Sequence, residues 1–256
     1  MRYASTMKNW DQDKDNLLKV ESVSKHFGGL AALSSVDLHI KRGETVGLIG
    51  PNGAGKTTLF SVVSGYYRPS SGRIVFDGQD ITGRKPHKVC HGGIARTFQI
   101  PKPFLHLSVV ENMMAGASFG AAHANRNRAM EAVLEILQWS ELSDKAWLPA
   151  NTLNLVQRKK LEVARAMSTM PKLILLDEVI AGLNPTEASE MVSFVTSLGQ
   201  RGITVLIIEH IMKVIMNVSE RIVVLDQGRK ICEGSPAEVS QNAQVIEAYL
   251  GRQDHA

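Results

Sequence analysis

The chain has 256 residues, 44% hydrophobic and 21% charged, which is enough to bury a substantial core in one or two domains. Its 29 basic and 25 acidic residues leave a formal net charge of +4 spread along the chain, a mild excess that argues against a nucleic-acid partner. The two cysteines, Cys90 and Cys232, are far apart and show no CxxC spacing, which argues against a disulfide framework or a zinc site and fits a reducing cytosol.

Residues 1–16 are polar, without periodicity and without the apolar core of a signal peptide, and read as a loose extension. No apolar run approaches the roughly 18 residues of a membrane span, so the chain is expected to be soluble by itself. The segments 17–23, 34–40 and 72–78 are short, alternating and bounded by turn residues, which predicts antiparallel strands. In contrast, 45–50 (TVGLIG), 172–177 (KLILLD) and 204–210 (TVLIIEH) are continuous apolar runs, as in strands covered on both faces. Helical patterns follow Gly55 and run over about 126–139, 157–167, 185–198 and 211–218. Strand followed by helix recurs, which predicts an α/β fold with a mainly parallel sheet and an antiparallel flank. The stretch from about 99 to 155, interrupted by Pro101, Pro103 and Pro149, reads as a helical lobe. The densest basic run, Arg158, Lys159 and Lys160, reads as a solvated helix face.

After the strand TVGLI comes GPNGAGKTT, in which Gly50, Gly55, Lys56 and Thr57 satisfy the phosphate-loop pattern at a helix start. Glycines are needed because backbone N–H groups must converge on phosphate oxygens, and the helix N-terminus adds its positive end. The loop comprises Gly50, Pro51, Asn52, Gly53, Ala54, Gly55, Lys56, Thr57 and Thr58. Lys56 supplies a point charge to the β and γ phosphates, and the Thr57 hydroxyl is a ligand for Mg²⁺. Downstream, the apolar strand end LILLDE offers Asp177 as a second Mg²⁺ ligand, with Glu178 beside it to take a proton from attacking water. A GTPase would carry an NKxD-type reader, and no Asn-Lys pair exists in the chain.

These residues resemble the ATP-binding subunits of ABC transporters, and the similarity runs from about residue 17 to 251. The resemblance implies a P-loop NTPase core with a helical subdomain over about 99–167 and a short tail at 252–256. It implies that Phe27 in KHFGG stacks on adenine. Gln99 in ARTFQ matches the Q-loop, a catalytic and metal-binding position; Asp177 and Glu178 match Walker B; and His210 in IIEH matches the switch histidine. Within the family, GGLAALSSVDL, VVENMMAG, AGLNP and the tail VIEAYLG are similar to the LivG-type subunits of branched-chain amino acid uptake systems. The implied cofactors are ATP and Mg²⁺. The implied partners are a second ATPase subunit, transmembrane permease subunits and, indirectly, a periplasmic solute-binding protein, with this chain peripheral on the cytoplasmic face of the inner membrane.

One stretch departs from the family. Leu153, Asn154, Leu155, Val156 and Gln157 stand where the resemblance expects LSGGQ, the signature facing the nucleotide of the opposite subunit. Val156 replaces the glycine next to the glutamine, so its side chain is expected to strain the loop or crowd the phosphate. Losing one preorganised donor lowers turnover by roughly 10² to 10³. This implies impaired hydrolysis at the composite site and favours a hetero-pair over a homodimer. Val179, where the family commonly has proline, is a lesser departure. Two other readings of the motifs exist. A non-transport ABC protein would show two cassettes or a long coiled-coil insertion, for which 256 residues leave no room. A nucleotide-binding regulatory switch with little turnover is suggested by the altered signature.

Overall fold

A computed structural model describes residues 15–120 and 126–250. Most of the expected N-terminal extension, residues 1–14, and the tail 252–256 lie outside the described residues. The antiparallel flank is a four-stranded sheet of β1 (Asn16–Phe27), β2 (Leu30–Lys41), β4 (Ser71–Phe76) and β5 (Gln79–Asp80), in the order β2-β1-β4-β5. The second sheet has six strands: β3 (Thr45–Ile49), β6 (Ile94–Arg96), β7 (Leu173–Asp177), β8 (Thr204–Ile208), β9 (Arg221–Asp226) and β10 (Arg229–Gly234). Its order is β10-β9-β3-β8-β7-β6, parallel throughout except for the antiparallel edge strand β10.

The helices are α1 (Lys56–Val63), α2 (Pro86–Gly92), α3 (Val109–Ala117), α4 (Arg126–Trp139), α5 (Leu155–Met167), α6 (Pro185–Gln200), α7 (Met212–Val218), α8 (Pro236–Gln241) and α9 (Ala243–Leu250). The continuous apolar runs are strands buried on both faces, because successive side chains point to opposite sides. Ile174, Leu176, Val205 and Ile207 face a layer that includes α3, α5 and α6, whereas Leu173, Leu175, Leu206 and Ile208 face α1 and the antiparallel sheet. Met113 of α3, Leu137 of α4 and Leu161 of α5 share the first layer with the sheet, so the core of the helical region is continuous with the main one.

Several elements carry too little pattern to be expected from sequence. β6 has only three residues, too short for any periodicity. The β9–β10 hairpin turns on Gln227 and Gly228, with φ of 45° and 75°, the left-handed pair of a tight hairpin turn. The reading of the basic run as a solvated face is corrected: Lys159 and Lys160 are 4% and 3% exposed. α5 is packed by α3, α4 and α6, and consecutive residues lie about 100° apart on a helix, so adjacent lysines cannot share one outward face. Lys160 instead pairs with Glu141 and Glu190, each at 2.6 Å. Burial opposes its charge, and the two carboxylates outweigh burial and raise its pKa.

Candidate active site

The strand order brings the C-terminal ends of β3, β8 and β7 side by side, so the loops leaving them meet at one edge. The loop after β3 has Gly50, Gly53 and Gly55 at φ of 149°, 79° and 102°. At Gly50 an added Cβ would lie 2.1 Å from the Leu225 carbonyl oxygen, and at Gly55 2.6 Å from that of Ala32, so neither tolerates a side chain. At Gly53 nothing lies within 4 Å, which leaves the cradle open for an anion. Gly55 caps α1 without any side-chain hydrogen bond and no acid stands in the first turn, so the helix presents bare amides. This arrangement fits a polyphosphate. Pro51 is half-buried, Asn52 exposed, Ala54 buried, Thr57 exposed and Thr58 half-buried. Lys56 folds back on the loop, donating to the carbonyls of Gly50 at 2.7 Å and Pro51 at 3.0 Å. Burial lowers its pKa, and Glu178 and Asp177 oppose that shift, which sets both acids near the ammonium.

Asp177 ends β7 and is 4% exposed. Burial raises its pKa, opposed by Arg96, whose guanidinium donates to Asp177 Oδ2 at 2.9 Å. Glu178 follows at φ 50°, a left-handed conformation costing a non-glycine residue about 1–3 kcal/mol. Its Oε2 accepts from Gln99 Nε2 at 2.7 Å, and His210 Nδ1 stands 4.0 Å from the same oxygen. Gln99 and His210 therefore converge on the Glu178 carboxylate. Val179, the residue in place of proline, is 4% exposed in this turn. Phe27 is 40% exposed at the end of β1, braced edge-on by Tyr67 at 5.0 Å and flanked by the Lys25 ammonium at 4.8 Å.

The LNLVQ stretch forms a regular helix start. Asn154 caps α5 by accepting from the Gln157 amide at 2.9 Å, and Gln157 Oε1 accepts from the Asn154 amide at 3.1 Å. Val156 lies inside α5 with no left-handed φ, so the expected backbone strain is absent. Its side chain is 4% exposed and Leu153 is 2% exposed, whereas Leu155 is 44% exposed and presents the outward side chain. The outward bulk expected of Val156 is thus supplied by Leu155.

Four residues at the site escaped sequence reasoning. Arg96 orients Asp177, Lys159 and Glu209 hold the turn at Glu178, and Tyr249 of α9 lies beside the Gly50 backbone. Arg96 lies within the ARTFQ stretch, and Glu209 precedes His210 in IIEH. Lys159 lay in a run whose burial the helix pattern does not reveal.

The loop, the acidic strand end and the parallel sheet define a P-loop nucleotide-binding protein. Residues 33–181 match the ABC transporter family, and residues 229–255 match the branched-chain amino acid ATP-binding cassette transporter family. The chain belongs to the ABC transporter family. It is 38% identical over 249 residues to the high-affinity branched-chain amino acid transport ATP-binding protein BraF of Pseudomonas aeruginosa, covering 92% of this chain and 98% of the relative. It is also 38% identical to a probable branched-chain amino acid transport ATP-binding protein, LivG, of Archaeoglobus fulgidus, covering 93% and 96%. Among solved structures, an ATP-binding cassette of an ABC transporter in its ADP conformation superposes with a TM-score of 0.84 at 33% identity, covering 92% and 99% of the two chains. A dimeric cassette in a post-hydrolysis state bound to ADP and Pi gives a TM-score of 0.75 at 25% identity, covering 86% and 98%.

Proposed function

We propose that this chain is the ATP-hydrolysing subunit of an importer for branched-chain or other amino acids, or a similar small polar solute. The observation that carries the catalytic part is the convergence of Gln99, Glu178 and His210 beside the glycine cradle and Lys56. Glu178 is the general base for the attacking water, Gln99 and His210 orient it, and Lys56 leaves its two carbonyls for the β and γ phosphates. Thr57, Asp177 and Gln99 would hold Mg²⁺, which neutralises phosphate charge when bound. Phe27 would stack on adenine. Support for the solute class comes from the relatives' names and from the C-terminal family match. These relatives are all transport proteins, and the regulatory-switch reading draws no support from them.

The chain's place is the cytoplasmic face of the membrane, peripheral to permease subunits and paired with a second ATPase subunit, with a periplasmic binding protein delivering solute. No helix among the described residues is long and apolar enough to cross a membrane. Residues 17–251 act as one ATPase unit, and the lobe over about 99–167 moves on it. A groove of about 490 Å³ beside the Q-loop, lined by Phe98, Phe104, Phe119, Glu162 and Arg165, offers the permease an apolar seat with charged edges.

Hydrolysis is asymmetric: the nucleotide facing Asn154–Gln157 turns over slowly, because Leu155 projects where a glycine would leave the backbone open and Val156 gives no glycine beside it. Purification from membranes, identification of the co-purifying subunits and assay of MgATP hydrolysis test the assignment. Permease subunits and solute-stimulated turnover are expected; a soluble protein without either overturns it. Leu155→Gly and Val156→Gly are expected to raise turnover of the assembled transporter, and unchanged rates in both would remove the asymmetry.

A further inference from the structure

The left-handed turn at Glu178 persists only because its surroundings hold it. The Glu178 amide donates to the Ile208 carbonyl at 3.0 Å, within the ordinary connection between neighbouring strands. The other two restraints come from buried charged side chains that nucleotide binding does not use. The Glu178 carbonyl accepts from the Lys159 ammonium at 3.3 Å, and the Ile180 amide donates to Glu209 Oε1 at 2.8 Å. Lys159 is 4% exposed and Glu209 1%. The second Glu209 oxygen has no hydrogen-bond partner among the described residues, and the two charges interact without a direct ion pair among the contacts described. Buried charges so arranged are a poor way to gain stability, since apolar replacements are often neutral or better. Their placement around one strained turn therefore points to geometry as their role.

Lys159 is the fifth residue of α5, and the first turn of α5 holds Leu155, Val156 and Gln157. At 1.5 Å per residue, about 6 Å of rigid helix separates the start of α5 from Lys159. α3, α4 and α6 pack against that helix, and Lys159 is buried among them with its ammonium on the Glu178 carbonyl. A displacement of the α5 start would therefore reach the Glu178 carbonyl through one side chain.

We propose that Lys159 is a positioning residue linking the helix start that faces a partner's nucleotide to the carboxylate that serves this subunit's own, with Glu209 fixing the far side of the same turn. This rests on the reading of Glu178 as general base and of Asn154–Gln157 as the partner-facing loop. Occupancy on the partner's side then sets Glu178 for reaction by moving one side chain.

The test measures MgATP hydrolysis by the transporter purified with its own partner subunits. Lys159→Met, which keeps the stem and removes the charge, is expected to lower kcat about 10- to 100-fold and leave KM within about twofold. Lys159→Arg, which keeps a donor, is expected to recover most of the loss. A merely structural lysine would lower the melting temperature and leave kcat per folded molecule unchanged, and that outcome overturns the proposal. Should Lys159→Met fail to fold, the Lys159→Met, Glu209→Gln double variant removes both buried charges and is read against Glu209→Gln alone. Glu178→Gln run alongside separates the two layers of the argument. If it retains full turnover, the general-base reading falls and takes the proposal with it. If it is inactive while Lys159→Met is normal, the proposal alone falls.

Discussion

At the level of single residues, the proposed function gives binding to Lys56 and chemistry to Glu178. In this structure Lys56 is held by the Gly50 and Pro51 carbonyls, and hydrogen bonds to charged groups contribute about 1.5–3 kcal/mol. Lys56→Met should therefore weaken ATP binding roughly 10- to 100-fold in a calorimetric titration while the glycine-built loop still folds. Glu178→Gln keeps the size of the side chain and its contact with Gln99 but cannot take a proton, so kcat should fall about 10²- to 10⁴-fold with nucleotide affinity retained. The glycines, Lys56, Asp177 and Glu178 were legible in sequence because each sits at a fixed offset from a strand end, and His210 only through the resemblance to the family's switch histidine. Arg96 was not legible in the same way. Its pairing with Asp177 spans 81 residues and exists only because β6 lies beside β7.

α5 is the element on which sequence and structure diverge most. The pattern located the helix, and the capping box of Asn154 and Gln157 explains why it starts at Leu155. Its basic run proved to be buried, because α5 lies between other helices, and an amphipathic pattern read along one strand of text cannot count neighbours. The two partners of Lys160 give a direct check. Glu141 and Glu190 are largely exposed, so losing either one leaves the other in place and should cost little. Glu141→Gln with Glu190→Gln leaves a buried ammonium unpaired and should destabilise the fold by roughly 3–5 kcal/mol in denaturant unfolding, well beyond the sum of the single changes.

At the scale of the whole molecule, two buried carboxylates set a pH dependence. Burial raises the pKa of both Glu162 and Glu209 to about 7, against an ordinary value of 4.5. Between those values the folded state holds more protons than the unfolded one, so stability falls as pH rises. This contribution is fully present below about 4.5 and lost by the time pH passes 7. Thermal unfolding should therefore give a lower midpoint at pH 8 than at pH 5.5, and Glu209→Gln should flatten that slope. Glu162 also accepts from the Phe98 amide, and Arg165 of the same helix donates to the Lys102 carbonyl, so the Q-loop segment is anchored to α5 at two points. On the proposed function, these two contacts would join closure at the nucleotide to the position of α5.

The sequence by itself determined the strand-loop-helix that cradles phosphate, the doubly covered parallel strands and the chain's family, because these depend on local spacing and on runs of apolar residues. Only the tertiary structure decided which charges are buried, which of Leu155 and Val156 faces outward, and how Lys159 and Glu209 brace the turn at Glu178. Those outcomes depend on which segments become neighbours, and neighbours many residues apart leave no periodic trace in the chain.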